Sequence, residues 1–128
     1  MKRTMLAIFT GVLAFTATPS PAHHSHSMFE PEKEVTLTGI VKEFQYTSPH
    51  TWLIIDVTNE DGTVTTWGFE GNTPSVMGRS GIYKSSLPPG TKVTMTGNPL
   101  RDGRPAARWN KAVREDGKVF DWRPVARQ

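Results

Sequence analysis

The chain offers four histidines and no cysteine for chemistry. His23, His24 and His26 fall within one four-residue stretch, and His50 stands alone after Pro49. Thiolate metal sites and disulfides are therefore excluded. Imidazole nitrogen suits copper, zinc and nickel, and Cu(II) heads the affinity order. A free α-amine titrates near about 7.7–8.0 and imidazole near about 6.5, so an N-terminal histidine can present both nitrogens to one metal close to neutrality. Processing that makes His23 the first residue creates that chelate. His24 adds a neighbouring imidazole, His50 a fixed one, and Glu70 or His26 a further donor. The competing reading of the three clustered histidines is a solvated polar tip.

His50 also carries two readings. Pro49 holds the chain extended ahead of it, so the direction of its ring is specified. It serves either as a ligand or hydrogen-bonding group in a cleft, or as a structural cap on a backbone carbonyl at a corner. Glu70 closes a predicted strand beside Gly71-Asn72. It is either a ligand or a cap on the following helix. No nucleophile–base pair, paired-carboxylate motif or phosphate-binding glycine loop is present, which points away from an enzyme. An enzyme would need a cleft pairing His50 with Glu70.

The start of the chain sets the compartment. Lys2 and Arg3 precede an apolar run from Met5 to Ala17, and Ser20-Pro21-Ala22 places small residues where a signal peptidase reads. The run is too short for a bilayer span of ~20 residues. Residues 1–22 are read as a signal peptide cleaved after Ala22, and the mature protein as periplasmic. Cleavage one residue earlier would make His24 the third residue, which is also a copper-binding arrangement.

These groups need a frame. Residues 23–33 read as a flexible histidine-bearing lead, 34–122 as one domain and 123–128 as a loose tail. Within the domain the pattern is alternating and β-rich. Strands are expected over 34–47, 50–58, 63–70, 91–97 and 106–114, with a short sixth over 119–122. Gly39 is expected to bend the first strand, so that Ile40 and Phe44 serve its other face. Asn59-Glu60-Asp61-Gly62, Arg101-Asp102-Gly103 and Asp116-Gly117 are turns. Thr73 as N-cap and Pro74 at the first helical position open a short helix over 74–80. Three strands, one helix and two strands is the order of an OB-fold-like five-stranded barrel, an all-β fold.

Tyr46, Trp52, Trp67 and Phe69 lie on the strands such barrels use for ligands, so Tyr46, Trp52 and Trp67 are candidates for a ligand or partner surface. Filling the barrel interior is the commoner duty of strand aromatics. Trp109 and Trp122 are expected to close the barrel end. The full chain has a formal charge of +3. Residues 23–78 hold two basic and eight acidic groups, and residues 79–128 eleven and four. Nucleic acid does not fit an exported domain. The charge division leaves a second reading, an interaction module that docks another envelope protein and has no metal role.

Ala22-His23-His24-Ser25, Met28-Phe29, Val35 to Phe44 and Pro49-His50-Thr51-Trp52 resemble a family of small bacterial exported proteins classed as a domain of unknown function. The resemblance continues through Trp67 to Gly71, Leu87 to Val93 and Pro99 to Gly103. This chain has Ser48 where members usually carry Asn, and Tyr46 where they usually carry Trp. The resemblance implies an OB-like periplasmic domain and no established activity.

Overall fold

A computed structural model describes residues 28–123. The expected signal peptide, His23, His24 and His26, and residues 124–128 lie outside the described residues. The elements in order are β1 (Val35–Gln45), β2 (Trp52–Thr58), β3 (Val64–Glu70), α1 (Pro74–Arg79), β4 (Lys92–Pro99), β5 (Ala106–Arg114) and β6 (Val119–Phe120). A single 3-10 turn, Lys84–Ser86, follows α1.

β1 is the hinge of the sheet. Its first half, Val35 to Ile40, pairs antiparallel with β4, and its second half, Ile40 to Gln45, pairs antiparallel with β2. β2 pairs with β3 and β4 with β5, both antiparallel. β3 then meets β5 in parallel, Gly68 to Glu70 against Ala106 to Arg108, which closes a five-stranded barrel. β6 extends β5 outside that ring. The order expected from the sequence is the order observed, with the helix between β3 and β4.

Alternation explains the core. Leu53, Ile55 and Val57 of β2 point inward and stand opposite Phe69, Trp67 and Thr65 of β3. Leu53, Ile55 and Phe69 are fully buried, as are Val93 and Met95 of β4. Each such aliphatic side chain contributes roughly 1.5–3 kcal/mol on burial. Two bulges break the alternation where the barrel needs curvature. Lys42 is the extra residue between the Val41–Ile55 and Glu43–Ile54 pairs, so Val41 and Phe44 both point inward. Asn110 is the extra residue between Lys111–Thr96 and Trp109–Gly97, so Trp109 and Ala112 both point inward.

The first bulge corrects the expected faces. Phe44 belongs to the core, while Ile40 stays 45% exposed. Gly39 marks the change of partner instead of the bulge. A Cβ there would come within 2.6 Å of the Asp56 carbonyl oxygen, so only glycine lets β1 pass from one neighbour to the other. Trp109 is also more than a barrel plug, being fully buried in the main core. Its Nε1 donates to the Phe120 carbonyl (3.3 Å), and Trp122 Nε1 donates back to the Trp109 carbonyl (3.1 Å), which fastens β6 and its exit to β5.

Candidate functional site

β1 and β2 are joined by the segment from Tyr46 to Thr51, and its course is fixed from outside. The Thr51 amide donates to the Asn72 carbonyl (3.0 Å), and the Thr51 hydroxyl donates to the same oxygen (3.1 Å). The Gly71 amide donates to the Thr51 carbonyl (2.8 Å). Thr51 is fully buried by this clamp. The Tyr46 hydroxyl anchors the other end of the segment. It lies 2.9 Å from the Pro74 carbonyl and 2.8 Å from the Ile82 carbonyl, and its one proton serves one of them at a time. Burial, then the neighbouring Tyr83, pushes the Tyr46 hydroxyl above the usual phenol range.

The clamp decides where His50 points. Trp52 pairs with Glu70 across the β2–β3 ladder, and His50 precedes Trp52 by two residues. The ring therefore comes over the end of β3, where His50 Nδ1 contacts Glu70 Oε1. The two side chains are 33% and 11% exposed, so the carboxylate is the more buried of the pair, on the outer face of the barrel that it shares with Trp52. A hydrogen bond between a ring nitrogen and a carboxylate oxygen takes one proton between them. Nε2 is the ring nitrogen that does not face Glu70. Among the described residues no hydroxyl is hydrogen-bonded to the ring.

Both structural alternatives read from the sequence give way to this contact. Glu70 does not cap α1. Thr73 does so, its hydroxyl accepting from the Val76 amide (3.4 Å), while Asn72 Oδ1 accepts from the Thr73 amide (2.7 Å). The His50 ring turns to a carboxylate instead of a backbone carbonyl. The site also has a neighbour that the sequence did not suggest. Parallel closure sets Arg108 beside Glu70, with its guanidinium 5.5 Å from the centre of the Trp122 ring. Only the β3–β5 pairing, which joins residues far apart in sequence, could have revealed it.

The three candidate aromatics divide. Tyr46 is half-buried, edge-on to Phe44 with centroids 5.4 Å apart. Trp67 is half-buried, packed on the core with its centroid 6.3 Å from that of Phe69. Trp52 is half-buried on the outer face and fills the notch at Gly68, where a Cβ would lie 3.2 Å from its ring. For metal chemistry, His50 offers a ring nitrogen, and Glu70 places a carboxylate against the other one. Among the described residues no group of three histidines or carboxylates is assembled to hold an ion, so any further donor comes from outside them. No helix among the described residues is long and apolar enough to cross a membrane.

A family model described as a family of unknown function (DUF6152) matches residues 11–108. The chain belongs to that family. The match spans His50, Glu70 and Arg108, and ends before β5 is complete. Comparison with curated proteins and with solved structures finds no match.

Proposed function

We propose that the mature protein is a periplasmic, non-enzymatic binding protein that holds a transition-metal ion, most concretely Cu(II). His50 is its fixed ligand, and His23 and His24 are its mobile ones. The observation that carries this reading is the His50–Glu70 contact. A carboxylate on one nitrogen of an imidazole is the outer-shell partner that metal-binding histidines commonly have.

Chain length supports the assignment of the mobile donors. Met28 lies against Arg101, whose amide donates to the Met28 carbonyl (2.9 Å). From there to Glu70 the surface crosses β4, β5 and β3 and runs three residues along them. At about 4.8 Å per strand and about 3.3 Å per residue this is roughly 17 Å. His23 precedes Met28 by five residues, which extend to about 18 Å at most. His23 and His24 therefore have the reach to meet His50 once side-chain length is added. His26, about 7 Å of chain from Met28, falls short.

The pairing of His50 with Glu70 is also the arrangement an enzymatic reading needs, so it favours that reading as the second one. The testing experiment is a Cu(II) and Zn(II) titration of protein exported and processed through its own leader, with its first residue read by mass spectrometry. The control carries a methionine before His23. Tight Cu(II) binding that is lost in the control and weakened in His50→Ala is expected. Absence of Cu(II) binding at every pH in correctly processed protein would sink the proposal and leave partner docking as the better account.

A further inference from the structure

We infer that Glu70 is a positioning residue and not a ligand: it holds the His50 ring with the proton on Nδ1, so that Nε2 is the nitrogen offered to the metal. This rests on the metal-binding reading above and goes further by naming the atom that binds and the residue that selects it.

The geometry carries the inference in three steps. First, Glu70 Oε1 and His50 Nδ1 are in direct contact, which makes the carboxylate the hydrogen-bond acceptor of that ring nitrogen and leaves Nε2 facing away from it. Second, the carboxylate is the buried member of the pair, at 11% exposure, while the ring is one-third exposed. A metal arriving from solvent meets the ring first. Third, both partners are held by backbone that does not depend on the metal. Glu70 is locked between Trp52 and Arg108 by ladder pairing on both sides. His50 is held by the Thr51 clamp to Gly71 and Asn72. The pair is therefore preformed. A neutral imidazole whose Nδ1–H is taken by a carboxylate has its free lone pair on Nε2 and is a stronger base for it.

The decisive measurement is the tautomer of His50 in the metal-free, processed protein. It is read from long-range proton–nitrogen correlations of 15N-histidine-labelled chain, at a pH where the ring is neutral. The wild type is expected to carry its proton on Nδ1. Glu70→Ala is expected to move population to Nε2–H. A wild-type ring protonated on Nε2, or a tautomer unchanged in Glu70→Ala, overturns the inference. Copper provides the second readout. Glu70→Gln keeps an acceptor for Nδ1–H and is expected to keep the same count of coordinated nitrogens by electron paramagnetic resonance. Glu70→Ala is expected to lose about 10–100-fold in Cu(II) affinity with the same donor set. Loss of an oxygen donor from the copper spectrum in Glu70→Gln would make Glu70 a ligand and overturn the inference. The two failures are separable. Wild type with Nδ1–H but no copper binding defeats the metal reading and leaves the positioning role standing. Copper bound by a protein whose His50 proton sits on Nε2 does the reverse.

Discussion

Gly71 shows how narrow the tolerances at the site are. A Cβ on this residue would collide with the Thr51 hydroxyl and come within 3.1 Å and 3.4 Å of Met77 Cε and Sδ. Met77 is fully buried and cannot swing into solvent, and the Thr51 hydroxyl is bonded to Asn72. Gly71→Ala is therefore expected to destabilise the fold by about 1–3 kcal/mol, the usual cost of overpacking. It should also push the segment carrying His50 away from Glu70. Chemical denaturation checks the first effect, and a change in the His50 ring resonances checks the second. An unchanged denaturation midpoint with unchanged His50 resonances would mean the clamp is looser than the contacts imply. The sequence made His50 and Glu70 legible as candidates, because a histidine after proline and a carboxylate at a strand end are both directed groups. It could not make Gly71 legible as the residue that joins them. That role depends on Thr51 and Met77 arriving from different elements.

At the level of elements, the irregular connections are held by side chains, and two of these holds respond to pH. The Tyr46 hydroxyl ties the β1–β2 segment to α1 and to Ile82. Its neutral form is favoured in the fold, so its contribution is complete below the ordinary tyrosine value of 10.0 and is lost as pH rises above it. Tyr46→Phe is expected to cost about 1 kcal/mol near neutrality, and to remove that part of the alkaline loss of stability. Denaturation of both proteins across that pH range tests it. The β5–β6 turn works in the opposite direction. Arg114 donates to both oxygens of Asp116 (2.9 and 2.6 Å) and to the Ser86 carbonyl (3.0 Å), so one guanidinium joins the turn to the 3-10 segment. Arg114, then the Lys118 amide, holds the Asp116 carboxyl down at about 2 against an ordinary 3.8. Its contribution is present above 3.8 and is lost as pH falls through about 2. A carboxyl resonance for Asp116 with its midpoint near the ordinary value would refute this. The strands and α1 were readable because their periods, turn glycines and Thr73-Pro74 act locally. The bulges at Lys42 and Asn110 were not, because an extra residue is defined only against a partner strand.

The whole molecule is a closed ring whose last join, β3 to β5, is also the floor of the site. Gly68 donates its amide to the Pro105 carbonyl (3.1 Å), and Glu70 lies two residues further along the same seam. The histidine-bearing lead enters at the opposite edge of β4, where Phe29 bridges Leu100 and Asn98 Nδ2 donates to the Lys33 carbonyl (2.6 Å). A metal shared between His50 and the residues ahead of Met28 would bridge these two edges across the β4–β5 surface. Anything that binds the folded form alone stabilises it by mass action, about 2.7 kcal/mol at a hundred times the dissociation constant. For a domain of this size that corresponds to roughly 10–20 °C, since 1 kcal/mol moves the midpoint about 4–8 °C. Cu(II) is therefore expected to raise the melting temperature of processed protein by that order, and to raise it far less in His50→Ala or with a methionine ahead of His23. The comparison separates a bridge from a free tip. Histidines that bind copper without touching the barrel bind the folded and unfolded chains alike, and leave the melting temperature where it was. A shift that persists undiminished in His50→Ala would place the ion on the lead alone and remove the barrel from the function.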